Sequence, residues 1–264
     1  MTETTSATGS NGFASYPSLR NRVVLISGGA SGIGEKIVEA FAQQHAKVTF
    51  LDIQDEAAGA LIERCRSRGF ATPTYLQCDV TNIAALRQRA ESVVGSFGTI
   101  DVLVNNAAND TRHSIEEVTP EYWDRGIAVN LKHQFFLTQA VIPAMKAAGC
   151  GSIINMSSIG WVIPSVGLPV YVASKAAIAG LTRTLAHELG PHGIRVNCVM
   201  PGAIETERQK QLWYTEEYLE KVQSRQALKR MIKPEEVARL VLFLAADDSS
   251  AITNQCHVID AGWI

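Results

Sequence analysis

No apolar run in the chain approaches the roughly 20 residues that a helix needs to cross a bilayer. The first 18 residues, rich in Ser, Thr and Gly, lack both the basic start and the apolar stretch of a secretory signal. These absences lead us to expect a cytoplasmic protein with a disordered tail over residues 1–18 and a folded domain over 19–264. Clustered basic residues interleaved with aromatics are missing too: 24 Lys and Arg stand against 26 Asp and Glu, for a net charge of -2. That balance argues against nucleic acid or an anionic membrane as partner and in favour of a small molecule. The five cysteines, at 65, 78, 150, 198 and 256, show neither metal-ligand spacing nor a disulfide framework. No metal site is expected, and the thiols fit a reducing compartment.

What is present is a chain of 264 residues, 46% apolar, long enough for one α/β domain with a substantial core. From Arg22 short β-rich runs alternate with helix-length amphipathic segments. Val23–Ile26, a helix to His45 and Val48–Leu51 make a βαβ unit. Further strands are expected at Thr74–Gln77, Val102–Val104, Ser152–Asn155, Arg195–Val199 and Cys256–Ile259. Helices are expected at Ile83–Phe97, Tyr122–Ala147, Val172–Leu189 and Pro234–Ala246, the last opened by an N1 proline and an acidic turn. The expectation is a single-domain, Rossmann-type, doubly wound parallel sheet of about seven strands, with any ligand at the carboxyl ends of the strands. A less regular insert, residues 206–231, is placed to serve as a substrate lid.

The first strand runs directly into Ser27-Gly28-Gly29-Ala30-Ser31-Gly32-Ile33-Gly34 and then a helix. Glycines at that junction let backbone N–H groups approach a pyrophosphate at a helix N-terminus. The second strand ends in Asp52, about 20 residues further on, where a carboxylate accepts from ribose hydroxyls and repels a 2′-phosphate. With Ile53 next and no Arg or Lys in the glycine loop, NAD is the expected cofactor. Asp also commonly caps a turn, a plainer role open to Asp52.

A second constellation is suited to alcohol oxidation, in which a base takes the hydroxyl proton as hydride leaves carbon. Tyr171 is the candidate base, and Lys175, one helical turn on, is the cation that favours its phenolate below the free-phenol pKa of about 10. Ser158, thirteen residues before Tyr171 at a strand end, is placed to hydrogen-bond the substrate oxygen. His187 and His192 read as helix-end residues.

Taken in order, Ser27–Gly34, Asp79-Val80, Asn105-Asn106-Ala107, Asn130, Ser158, Tyr171-x-x-x-Lys175 and Pro201-Gly202 resemble the classical short-chain dehydrogenase/reductase family, over residues 20–264. That resemblance implies a cofactor set of Gly28, Ser31, Gly32, Ile33, Gly34, Asp52, Ile53, Asp79, Val80, Asn106, Tyr171, Lys175, Pro201, Ile204 and Thr206. It adds Asn130 to the catalytic set, fixing a water that relays protons to Lys175, and it implies a homotetramer. Ala108 departs from the family, which usually has Gly there.

The runs Asn106–His113, Ser158–Trp161, Thr206–Gln209 with Trp213, and Asp260–Trp263 are similar to those of bacterial NAD-dependent aldose 1-dehydrogenases. The resemblance implies oxidation of a sugar such as xylose, arabinose, galactose or fucose at C1 to the aldonolactone. Asn109, Asp110, His113 and Gln209 would then meet sugar hydroxyls beside Ser158 and Tyr171, with Trp161 or Trp213 against a C–H face. The same residues could instead cap turns and fill the lid. Another alcohol or 3-oxoacyl substrate on the same scaffold, and a noncatalytic dinucleotide sensor, remain as alternatives; the intact Ser158, Tyr171 and Lys175 argue against the sensor.

Overall fold

The computed structural model describes residues 12–264. The expected tail falls outside the described residues as far as residue 11; beyond it, Phe13 lies against the Arg239 guanidinium and Leu19 is fully buried. Seven strands follow: β1 (Val23–Ser27), β2 (Lys47–Asp52), β3 (Thr74–Gln77), β4 (Val102–Asn105), β5 (Gly151–Met156), β6 (Ile194–Pro201) and β7 (Cys256–Ile259). They form one parallel sheet in the order β3-β2-β1-β4-β5-β6-β7, as expected. The order reverses between β1 and β4, which makes their carboxyl ends the natural ligand crevice.

Both faces of the sheet are covered, which is why its strands read as continuous apolar runs. Along β1, Val24 and Ile26 pack to one side, with α1 (Gly32–Gln43), α2 (Asp55–Ser67) and α9 (Pro234–Ala245). Val23 and Leu25 pack to the other, with α3 (Ile83–Phe97), α5 (His133–Ala148) and α6 (Pro169–Leu189). Each fully buried Leu, Ile or Phe in these layers contributes about 1.5–3 kcal/mol. One polar line crosses this interior. Asn105 Nδ2 donates to Thr138 Oγ1 (3.0 Å) and Asn155 Oδ1 (2.8 Å), and Asn155 Nδ2 donates to Thr182 Oγ1 (3.0 Å).

Three segments differ from the sequence expectation. Between Asp52 and Thr74 stands α2, which buries only the stripe Ala58, Leu61 and Cys65. The expected continuous helix from Tyr122 to Ala147 is interrupted: α4 (Pro120–Ile127) passes through a π-turn, Ala128–Lys132, before α5 begins. Residues 206–231 hold two short helices, α7 (Glu207–Trp213) and α8 (Glu216–Arg225). Each is capped by a threonine, Thr206 accepting from Gln209 N–H and Thr215 from Tyr218 N–H.

Candidate active site

A cavity of about 1010 Å³ opens at the carboxyl ends of the strands. It is larger than most small-molecule pockets and has room for a dinucleotide with a small second ligand. One half is built by the glycine loop between β1 and α1. Gly28, at φ +69°, takes a backbone conformation that other residues rarely adopt. A Cβ on Gly34 would lie 1.8 Å from the Gly28 carbonyl oxygen, so the turn closes only without side chains there. The first turn of α1 thus presents bare N–H groups to the cavity, a cradle suited to phosphate oxygens. Ser31, Ile33, Asp52, Ile53, Asp79, Val80, Asn106, Pro201, Ile204 and Thr206 line the same cavity, so every sequence-predicted cofactor residue comes together there.

Asp52 has the plainer of the two roles open to it, capping a turn, and also lines the cavity. It is buried at the end of β2, where its carboxylate accepts from Ala30 N–H (2.9 Å), Ile53 N–H (2.7 Å) and Gln54 N–H (3.1 Å). It therefore holds the glycine loop as well as facing the cavity. Gln54 Nε2 in turn donates to the Ser31 hydroxyl at 3.0 Å. Sequence reasoning overlooked Gln54, which lies in the short connection after a strand and matches no motif.

The other half carries the reactive side chains. Pro169 opens α6 at its N-terminus, and Tyr171 and Lys175 follow one turn apart on the face toward β5. Lys175 is 1% exposed, donates to the Met156 carbonyl at 2.8 Å, and holds its ammonium 5.4 Å from the Tyr171 ring centroid. Burial pulls Lys175 down to about 8. Burial raises the Tyr171 hydroxyl above its ordinary value, the Asp110 charge adds to this, and a hydrogen bond with Ser158 opposes it. Ser158 lies two residues beyond β5 and caps a short turn by accepting from Gly160 N–H at 3.0 Å. Asn130 sits behind this group in the π-turn rather than on the cavity wall. Its Oδ1 accepts from Asn109 N–H (2.9 Å) and its Nδ2 donates to the Asn109 (3.0 Å) and Gly126 (3.1 Å) carbonyls.

The expected substrate set is only partly assembled. Asp110, Gln209 and Trp213 line the cavity, as do Ser158 and Tyr171. Asn109, His113 and Trp161 do not. The Asn109 side chain is engaged by the Thr111 N–H and hydroxyl (3.0 and 2.7 Å), and His113 Nδ1 lies 2.7 Å from the Tyr122 hydroxyl. Trp161, on the turn after Ser158, faces outward. Asp110 accepts from Gln209 Nε2 (2.5 Å) and Arg208 Nε (3.3 Å), tying the loop after β4 to α7. Arg112 lies over Trp213 at 4.1 Å and over Tyr218 at 5.8 Å, and with Tyr218 and Trp263 it completes this wall. Arg112 stands within a run already singled out, whereas nothing local marks Tyr218.

Among the described residues no group of His, Cys, Asp and Glu is arranged to hold a metal ion, and no helix is long and apolar enough to cross a membrane.

Comparison with known proteins bears on this geometry. The family model described as "Enoyl-(Acyl carrier protein) reductase" matches residues 28–264. The chain is 49% identical to a D-xylose 1-dehydrogenase of Caulobacter vibrioides over 250 residues, covering 95% of this chain and 98% of the relative. It is 48% identical over 247 residues to the Rhizobium meliloti protein described as "Probable galactose dehydrogenase GalD", covering 94% and 96%. Among solved structures, a 3-oxoacyl-[acyl-carrier protein] reductase from Brucella melitensis superposes with a TM-score of 0.87 at 32% identity, covering 94% of each chain.

Proposed function

The chain belongs to the short-chain dehydrogenase/reductase family and is an oxidoreductase of CH–OH groups, and on that premise we propose that it is an NAD-dependent aldose 1-dehydrogenase. The observation that carries the reading is the cavity, in which the glycine-rich turn faces Ser158, Tyr171 and Lys175, with Asp110, Gln209 and Trp213 beside them. Two relatives at 48% and 49% identity carry galactose and xylose in their names, which supports a sugar as substrate.

The glycine loop and the N-terminus of α1 would hold the pyrophosphate, Asp52 would accept from the ribose, Asp79 and Val80 would flank the adenine, and Asn106, Pro201, Ile204 and Thr206 would hold the nicotinamide end; all of them line the one cavity. NAD held there would supply the acceptor for the hydride that leaves C1. Ser158 donates to the anomeric oxygen and Tyr171 Oη takes its proton, with the Lys175 charge favouring the phenolate. Asn130 keeps the loop carrying Asn109 in register behind them. Asp110, Gln209 and Trp213 meet the remaining hydroxyls and the sugar ring under the lid formed by residues 206–231. The product is an aldonolactone. The protein works as a cytoplasmic homotetramer with no nucleic acid or membrane partner.

The test is a panel of xylose, arabinose, galactose and fucose with NAD, followed by NADH absorbance, product NMR and light scattering. Lactone formation is expected. Inactivity on every aldose, with turnover of a 3-oxoacyl thioester and NADPH, would overturn the substrate reading and leave the family standing.

A further inference from the structure

Ser27, the last residue of β1, is fully buried, and its hydroxyl oxygen accepts from Asn106 N–H (3.0 Å) and Ala107 N–H (3.2 Å). The same oxygen lies 3.3 Å from Nε2 of His133, the first residue of α5, which has no exposed surface. A hydroxyl offers two lone pairs and one proton. Both lone pairs are committed to the two backbone N–H groups, so the proton goes to His133 Nε2. Only a neutral imidazole, protonated on Nδ1 beside the Val129 backbone, can accept it. Burial and the nearby Lys175 charge hold His133 down to about 3, so the ring is an acceptor at every pH at which the protein would work.

The segment fixed in this way has little slack. Asn106 Nδ2 donates to the Gly28 carbonyl at 2.7 Å, and a Cβ on Gly28 would lie 2.6 Å from Ala107 Cα. Gly28, Asn106 and Ala107 all line the cavity, whereas His133 does not. A small displacement of Asn106 and Ala107 therefore changes the wall against which the cofactor rests, although nothing in direct contact with it has been altered.

We propose that His133 is a positioning residue for the dinucleotide: by accepting the Ser27 proton it aims both lone pairs of that hydroxyl at the backbone of Asn106 and Ala107, and so holds the cavity wall against Gly28. The proposal rests on the dinucleotide reading given above. It predicts that removing the acceptor weakens cofactor binding, and that restoring an acceptor at the same reach repairs it.

NADH binding by fluorescence titration, with steady-state KM and kcat, tests this in the full-length protein. Wild type comes first: failure to bind either NADH or NADPH would defeat the dinucleotide reading itself and is distinguishable from failure of the His133 role. His133→Phe, which keeps a ring but offers no acceptor, should weaken NADH binding and raise KM for NAD by about tenfold while lowering kcat by less than about threefold. His133→Gln, whose Oε1 reaches as far as Nε2, should stay within about threefold of wild type, and the shorter His133→Asn should resemble the Phe variant. In a Ser27→Ala background, His133→Phe should add less than about twofold, because the shared interaction is already gone. Should the Phe variant fail to fold, the Gln and Asn pair decides by the same criterion. A purely structural role would lower the melting temperature of each variant without the recovery by Gln. Unchanged NADH affinity in the Phe variant, a Gln variant no better than Asn, or fully additive losses with Ser27→Ala would each overturn the proposal.

Discussion

Lys175 keeps its ammonium 5.4 Å from the centre of the Tyr171 ring while donating to the carbonyl of Met156 at 2.8 Å. The lysine is thus anchored to the end of β5, the strand that also delivers Ser158, and the tyrosine is read against a fixed cation. Tyr171→Phe removes the proton acceptor and little surface. It should lower kcat by about 10²–10⁴ and leave NADH affinity within a few fold. Comparable turnover by the variant would remove Tyr171 from the mechanism. In Lys175→Ala the phenolate loses its cation, so the rise of kcat with pH should move to higher pH.

Asp110 pushes the Tyr171 hydroxyl upward. Asp110→Asn takes that negative charge away from Tyr171 and Lys175 alike, so both should titrate at lower pH and the pH profile of kcat should move to lower pH, opposite to Lys175→Ala. Asn retains an acceptor for Gln209 Nε2 but not a second one for Arg208 Nε, so Arg208→Ala, which loses that contact and keeps the Asp110 charge, is the control. A pH–rate profile for each variant on one aldose checks the sign.

Asp52 accepts from three backbone N–H groups, one of them in the glycine loop. Wild type should prefer NAD over NADP. Asp52→Ala should reduce kcat/KM for NAD and shift selectivity toward NADP by a few kcal/mol, as expected when a buried charge is removed. Faster turnover of NADP than NAD by wild type at low concentration would reverse this assignment.

Gln209 lines the cavity and Asn109 does not. Gln209→Ala should therefore cost about 1–3 kcal/mol in kcat/KM, unequally among epimeric pentoses and hexoses. Asn109→Ala, whose side chain stabilises its own turn, should affect every epimer alike. Kinetics across the epimers distinguish the two patterns.

The guanidinium of Arg230 grips Glu236 with two hydrogen bonds of 2.7 Å and holds its carboxyl down to about 2. A depressed acid stabilises the folded state above its unfolded pKa, here the ordinary value of 4.5, and loses that contribution as pH falls toward 2. Arg230 is half exposed, so solvent screening keeps the contribution of the pair small. Glu236→Gln should lower the melting temperature slightly at neutral pH, with the difference closing in acid.

Local patterning carried much of the fold. Val23–Ser27 followed by Gly28–Gly34 announces a strand, a bare turn and a helix, because each needs particular residues at fixed offsets. Tyr171 and Lys175 were legible for the same reason, being one turn apart on one helix. By contrast, α2 leaves a weak signal: Ala58, Leu61, Ile62 and Cys65 keep helical spacing, but only three of its residues are fully buried and small or charged residues fill most other positions. Contacts between distant segments also leave little local trace. Asp110 and Gln209 lie 99 residues apart, and the stacking of Arg112 on Trp213 depends on how residues 206–231 fold back. Asn109, His113 and Trp161 show the converse, since polar or aromatic character near a site does not say whether a side chain points into it.

The polar line Thr138–Asn105–Asn155–Thr182 bears on how the chain avoids a wrong assembly. Strands β4 and β5 are apolar runs brought together across 50 residues, and apolar side chains alone would tolerate sliding by one or two positions. Asn105 and Asn155 are register partners, and each finds its threonine only in this alignment. A slipped pairing strands two amides in hydrocarbon, at about 1–3 kcal/mol for each unmet group. The four residues thus weight strand pairing toward this alignment, the one that sets the ends of β4 and β5 level where the crevice opens.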